Sequence, residues 1–161
     1  MLVQAHGFSV DLPSPWEGAV RLGVVGDGVR ERAAFQGREV QTPPVLHLSS
    51  ATLPADRGDF GSGAVDLLGD SDAFVAVVEY GAESLGTALF DTGPMPRRLD
   101  QRWFRPDGLQ RAIAGQSGYQ HFCTENGRPL CLYVVLGAHH RARGLTRQVN
   151  AVIASIRIAT R

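Results

Sequence analysis

The 161-residue sequence has no lysine, so all 16 of its basic residues are arginine. This absence excludes enzymes that need a lysine amine: pyridoxal-phosphate and other Schiff-base enzymes, P-loop phosphate sites and kinase-type nucleotide clamps. Asparagine is also scarce, with two residues, whereas glycine is abundant, with 19. The composition is typical of a GC-rich, actinobacterial-like bacterial genome, because lysine codons are AT-rich and arginine has GC-rich alternatives. Selection against lysine is the alternative explanation.

Long apolar runs and a secretory leader pattern are missing as well. The longest strongly apolar run, Leu130 to Leu136, is far shorter than the ~20 residues of a membrane helix. The first residues carry no arginine before Arg21, whereas a secretory signal needs a basic region followed by a longer apolar core. We therefore expect a cytoplasmic protein without a membrane span.

Cysteine is limited to Cys123 and Cys131, which flank Asn126-Gly127, a dipeptide typical of tight hairpin turns. A two-residue loop would place Cys131 opposite Phe122 and Cys123 opposite Leu130. The two thiols would then point to opposite faces of the sheet and could not form a disulfide. A one-residue change of register would bring them face to face. We favour two reduced thiols that pack as small apolar groups.

Hydrophobic periodicity predicts several strands. Residues 7–13 alternate between apolar and polar side chains, which predicts a half-buried strand with residues 2–6 as its hairpin partner. Residues 74–80 are β-branched or aromatic on both faces, which is typical of a central strand. The clearest hairpin joins residues 119–123 to residues 130–136.

Helical spacing predicts one longer helix near the C-terminus. Its apolar face comprises Leu145, Val149, Val152, Ile153 and Ile156, and a short last strand follows at residues 156–158. Short helices are also predicted at residues 64–68 and from about Asp107. Because hairpin connections are too short for parallel crossovers, the sheet is predicted to be mostly antiparallel. We therefore predict one α+β domain over residues 1–161, with this sheet flanked by helices.

The sequence has none of the motifs HExxH, GxSxG or paired CxxC. His139-His140 has no carboxylate or cysteine at ligand spacing, which favours an exposed turn over a metal site. His121 and Cys123 share a strand face; a nucleophile–base pair is one interpretation, and packing is the preferred one because no third group orients them. Residues 23–28 resemble a glycine-rich nucleotide loop, but they lack its strand–loop–helix context. We therefore predict no enzymatic activity, no cofactor and no metal.

Charge is distributed unevenly along the chain. Residues 1–91 contain 13 acidic residues and 5 arginines, whereas residues 92–161 contain 3 acidic residues and 11 arginines. If the two halves stay apart in space, the protein has an acidic face and a basic face, which suits head-to-tail assembly. If the halves interleave in the sheet, their charges cancel locally.

Two arginine clusters and an aromatic pair form the candidate binding surface. The first cluster is Arg97, Arg98, Arg102, Arg105 and Arg111, and the second is Arg141, Arg143 and Arg147. Trp103-Phe104 lies within the first cluster, and arginine with aromatic residues is the composition of interface hot spots and of single-stranded nucleic-acid platforms. The alternative places one or both rings in the core. We predict that a partner is contacted by Arg97, Arg98, Arg102, Trp103, Phe104, Arg105, Arg141 and Arg143.

Both ends of the sequence resemble the PsbP/Mog/DcrB-like superfamily. Residues 7–16, GFSVDLPSPW, are similar to its N-terminal glycine–aromatic strand ending in proline and tryptophan, and residues 149–158, VNAVIASIRI, to its terminal helix and strand. The resemblance implies an antiparallel sheet sandwiched by helices, and binding rather than catalysis. Its members include a photosystem subunit, a Ran-binding protein, secreted actinobacterial lipoproteins and secretion-effector chaperones of the Eag type. They share no catalytic residue set that could be carried over to this chain.

The sequence thus predicts a non-catalytic protein-interaction or assembly module, such as an adaptor, a chaperone-like protein or a structural subunit. Its expected partner is another protein or a second copy of the chain. The alternative is anion or nucleic-acid binding through the arginine-rich C-terminal half. A pI near 7.0 argues against a dedicated nucleic-acid domain.

Overall fold

The computed structural model describes residues 1–23, 35–36 and 42–161. Its strands form two antiparallel sheets. The smaller sheet has the order β1-β2-β8 and comprises β1 (Leu2–Ala5), β2 (Phe8–Asp11) and β8 (Arg157–Ile158). The larger sheet has the order β3-β4-β5-β7-β6 and comprises β3 (Glu17–Leu22), β4 (Pro44–Ser49), β5 (Ala73–Glu79), β6 (Ser117–Glu125) and β7 (Arg128–Leu136). The predicted α+β class with a mostly antiparallel sheet is confirmed.

Strand β5 is the middle strand of the larger sheet, and all seven of its residues are buried. Val75 and Val77 belong to the main core, whereas Phe74 and Ala76 belong to a second cluster on the opposite face. Because both faces are covered, β5 shows no apolar–polar alternation in sequence. The predicted central strand is confirmed.

Helix α1 (Ala142–Ile153) packs on the main core through its apolar face. Leu145, Val149, Val152 and Ile153 are all buried on this face. The predicted helix is confirmed, although it ends at Ile153 and the buried Ile156 follows in the turn before β8. Among the residues that the structure describes, no helix is long and apolar enough to cross a membrane.

The hairpin between β6 and β7 has the predicted register. Asn126 and Gly127 have φ angles of 51° and 74°, the left-handed conformation that a tight two-residue turn requires. Phe122 lies opposite Cys131, and Cys123 lies opposite Leu130. The two cysteines are therefore free, buried and on opposite faces of the sheet.

The helix predicted from about Asp107 is wrong. Arg105 forms an isolated bridge to Gly118 of β6, and residues 106–111 follow as turns and bends, with the Gly108 N–H donating to the Arg105 carbonyl at 3.1 Å. Gly108 lies so close that a Cβ atom there would be 2.3 Å from the Gly118 carbonyl oxygen. A 3-10 helix forms earlier, at Gln101–Trp103, and the helical turn predicted at residues 64–68 is a 3-10 helix at Val65–Leu67.

Two sequence predictions fall mostly outside the described residues. Residues 26–44, whose glycines and Pro43-Pro44 pair predict a loop, are described at 35–36 and 42–44, where Pro44 already begins β4. The glycine-rich segment 23–28 is described at Gly23, where the Gly23 N–H donates to the Pro43 carbonyl at 2.9 Å.

Candidate functional site

An arginine-lined groove runs between α1 and residues 97–103, and its volume is about 870 Å³. Five arginines from the two sequence clusters line it: Arg97, Arg98, Arg102, Arg143 and Arg147. On α1, Arg143 and Arg147 are followed by Asn150, and Ala154 comes directly after the helix, so that spacings of four, three and four residues keep these positions on one side. We call this feature the arginine groove.

Asn150 fixes one wall of the arginine groove to the other. Its side-chain Nδ2 donates to the Leu99 carbonyl at 2.9 Å, and its Oδ1 accepts from the Leu99 N–H at 2.7 Å. The side chains of Leu99, Met95 and Phe104 are buried in the main core beneath the groove. Paired hydrogen bonds and apolar anchors therefore hold residues 97–103 in place without a partner.

Two of the five arginines are already paired with acidic groups. Arg97 donates to both carboxylate oxygens of Glu125, at 2.6 and 3.1 Å. Arg102 binds Asp100 through its Nε and a terminal nitrogen, and this guanidinium holds the pKa of Asp100 at about 2.

The other three arginines form no ion pair within the described residues. Arg98, Arg143 and Arg147 are exposed, and no ion pair joins any of them to an acidic side chain of the described residues. Uncompensated guanidinium groups on two facing walls give the groove a net positive charge. Because guanidinium groups bind carboxylates and phosphates through two donors, the groove is suited to an anionic ligand.

Trp103 lines the arginine groove, with 46% of its surface exposed. Its ring centroid is 5.6 Å from that of Tyr119 on β6, and Tyr119 in turn stacks on His121 at 6.3 Å. Phe104, also predicted as a partner contact, is 2% exposed and packs in the main core. Its ring is therefore unavailable to a partner. For Phe104 the alternative, a ring buried in the core, is the correct one.

The remaining predicted contact residues lie outside the arginine groove. Arg105 pairs with Asp107, and Arg141 donates to the Ser71 hydroxyl. Arg111, a member of the first cluster, pairs with Asp66 beside a different cavity. The structure thus brings together Arg97, Arg98 and Arg102 with Arg143, and it adds Arg147, which was not among the predicted contacts.

The acidic and basic halves of the sequence interleave in part. Within the described residues, three arginine–carboxylate ion pairs cross between them: Arg111–Asp66, Arg128–Glu79 and Arg161–Glu79. These pairs cancel charge where strands from the two halves are neighbours. At the arginine groove the excess of arginine is not cancelled, so this surface keeps a positive charge in a protein of zero net charge.

The paired residues His121 and Cys123 cannot supply a thiolate nucleophile. Cys123 has no exposed surface, and its burial raises the pKa of the thiol to about 12. His139 and His140 are exposed on a 3-10 helix, as predicted, and His140 Nε2 is 4.0 Å from Asp70. In the described part of the chain, no three potential metal ligands come together.

Compared with protein-family models, with curated proteins and with solved structures, the chain gives no match. Sequence reasoning placed Arg147 in the second arginine cluster but not among the predicted contacts, and it missed Asn150 as a member of the site. Their positions four and seven residues after Arg143, on the polar face of a predicted helix, carried the information that would have placed them there.

Proposed function

We propose that this protein is a non-catalytic interaction module that binds an acidic segment of a partner protein in the arginine groove. The observation that carries the proposal is the excess of arginine in a groove whose walls are fixed: five arginines line it, and within the described residues three of them, Arg98, Arg143 and Arg147, are exposed and form no ion pair. Trp103, which also lines the groove, adds an apolar contact of the kind that anchors protein interfaces.

The chemistry of the groove favours carboxylates over a nucleic-acid backbone. Two of its arginines already bind carboxylates of this chain, Glu125 and Asp100, in two-donor geometry. Their charge is therefore compensated before any ligand arrives, which weakens the attraction for a long polyphosphate chain. A short acidic peptide needs few charge contacts and extends the carboxylate pairing that the site already contains.

A cytoplasmic location and kinship with the PsbP/Mog/DcrB-like superfamily belong to the same proposal. The two segments that resemble that superfamily are neighbours in the fold, since β2 pairs with β8. This proximity supports the kinship, and binding rather than catalysis is what the kinship implies.

Trp103 provides a built-in reporter for the test. The second tryptophan, Trp16, is buried, so the variant Trp16→Phe leaves Trp103 as the single indole. This variant is titrated with blocked decaglutamate, with decaglutamine of equal length, and with an oligothymidylate of similar charge. Saturable change of the Trp103 emission by decaglutamate alone supports the proposal. No response to decaglutamate, or a stronger response to the oligothymidylate, contradicts it.

A further inference from the structure

A second cavity lies on the opposite face of the larger sheet from α1. It lies between β6, β7 and residues 106–116, is partly open to solvent, and has a volume of about 420 Å³. Small-molecule sites in proteins have volumes of roughly 300–1,000 Å³, so this cavity has the size of such a site. We call it the aromatic cavity, because rings form its floor and sides.

The walls of the aromatic cavity are held in place from both ends. Gly118 on β6 lets the loop approach closely, since a Cβ atom there would be 2.2 Å from Leu109 Cδ1. At the other end, the buried Gln116 side chain donates to the Val65 carbonyl at 2.8 Å. The cavity is therefore built into the fold and does not require a ligand to form.

Four aromatic rings line the aromatic cavity: Phe60, Tyr80, Phe122 and Tyr133. Phe60 meets Tyr133 edge to face at 5.3 Å, and Tyr80 meets Phe122 in the same manner at 6.1 Å. Leu109, Ile113 and Val135 complete an apolar surface. Such a lining is suited to a flat, largely apolar molecule.

Tyr133 supplies an unused hydrogen-bonding group to the aromatic cavity. Its side chain is 6% exposed, and its hydroxyl makes no hydrogen bond within the described residues. Burial raises the pKa of this hydroxyl, so it stays protonated and can donate. The hydroxyl oxygen is not shielded from solvent, so it is free to donate to a ligand in the cavity.

The charges at the aromatic cavity are compensated within the protein. Arg111 binds Asp66 through both terminal nitrogens, at 2.6 and 3.1 Å. A charged ligand would have to break this pair or enter apolar surroundings without a counter-charge. An uncharged ligand meets neither penalty.

We propose that the aromatic cavity binds an uncharged, largely aromatic small molecule carrying one acceptor oxygen, to which the Tyr133 hydroxyl donates a hydrogen bond. This site is separate from the arginine groove and does not depend on the function proposed there. The two could be occupied at the same time, since they use opposite faces of the larger sheet.

The test uses a neutral dye, N-phenyl-naphthylamine, whose fluorescence increases in apolar surroundings. Saturable binding of one dye molecule per chain is expected. Three competitors then separate shape, hydrogen bonding and charge: acetylnaphthalene, ethylnaphthalene and naphthoate. Acetylnaphthalene should displace the dye up to about tenfold better than ethylnaphthalene, because it alone of these two accepts from Tyr133. Naphthoate should be the weakest.

Two kinds of variant complete the test. In Tyr133→Phe the dye should still bind, and the preference for acetylnaphthalene over ethylnaphthalene should disappear. Gln120→Trp and Ala112→Trp each place a bulky ring in the cavity from a different wall, and both should lose dye binding while keeping the circular dichroism spectrum of the parent. Dye binding that survives in a folded cavity-filling variant, or an acetylnaphthalene preference that persists in Tyr133→Phe, overturns the proposal.

Discussion

Arg128 and Glu79 form a buried ion pair that joins β7 to β5 and the basic half of the sequence to the acidic half. Arg128 Nε lies 2.9 Å from Glu79 Oε2, and the two side chains are 6% and 0% exposed. The same guanidinium donates to the His6 carbonyl at 2.8 Å and lies 4.6 Å from the centroid of the Phe8 ring. One arginine thereby connects the small sheet to the large one.

Removing Arg128 should destabilise the protein strongly. In Arg128→Met, Glu79 stays buried with Arg161 as its remaining partner, so the free energy of unfolding should fall by about 3–5 kcal/mol. Urea unfolding measures this loss. The double variant Glu79→Gln/Arg128→Met should lose less than the sum of the two single variants. A loss below about 1 kcal/mol in Arg128→Met would mean that the pair contributes little.

His47 should make stability depend on pH between pH 6.5 and about 4. Arg57 Nε–H donates to His47 Nδ1 at 2.9 Å, so the ring proton is on Nε2, which donates to the Asp59 carbonyl at 2.7 Å. Burial, with the nearby Arg57 and Arg21, lowers the pKa of His47 from 6.5 to about 4. Between these values the unfolded chain binds a proton that the native protein does not, so the free energy of unfolding falls as the pH falls.

The expected decrease over this interval is about 3 kcal/mol, and His47 should contribute no slope above pH 6.5. Urea unfolding at a series of pH values measures it. In His47→Gln this component of the slope should disappear, whereas His139→Gln, at an exposed histidine, should keep it. An equal slope in the parent and in His47→Gln contradicts the assignment.

The two thiols should be inert in the native protein. Cys123 and Cys131 have no exposed surface, and burial raises the pKa of each to about 12. A disulfide-exchange reagent should therefore react with neither cysteine until denaturant is added, and then with both. Thr160→Cys, which places a thiol at an exposed position, is the positive control. Rapid native-state reaction of the parent would show that the cysteines are accessible.

Asn150 should hold the arginine groove in shape. In Asn150→Leu the Leu99 amide and carbonyl lose their side-chain partners, which should cost about 1–3 kcal/mol of unfolding free energy. The freed segment should also expose Trp103 further, so quenching of its fluorescence by acrylamide should increase. Gln148→Ala, at an exposed position of the same helix, should change neither quantity. Unchanged quenching in Asn150→Leu would show that other contacts fix the segment.

Local patterns in the sequence predicted the elements well where a single physical cause decides them. The Asn126-Gly127 dipeptide determined the hairpin register, and that register placed Cys123 and Cys131 on opposite faces. The helix expected at Asp107 did not form because a tertiary contact, Gly108 against Gly118, holds the chain on β6. A tertiary contact of this kind does not change the hydrophobic periodicity of the sequence, so local patterns do not predict it.

The candidate site was predictable only in pieces. The composition around Arg102-Trp103 indicated a binding surface, but which of Trp103 and Phe104 is exposed depends on how residues 97–104 lie on the core. The two arginine clusters lie close together because hydrogen bonds join Asn150 to the backbone of Leu99, although these residues are 51 positions apart. Long-range proximity of this kind cannot be inferred from local patterns.

The most direct test of the acidic-segment proposal compares two charge reversals of equal size. Arg143→Glu/Arg147→Glu changes the arginine groove, and Arg105→Glu/Arg157→Glu changes two exposed arginines that do not line it. Each is made in Trp16→Phe, and decaglutamate affinity is measured by the Trp103 emission. We predict a loss of more than about tenfold for the groove variant and less than about twofold for the other. Equal losses in the two variants would show that overall charge, and not the groove, attracts the peptide, and would contradict the proposal.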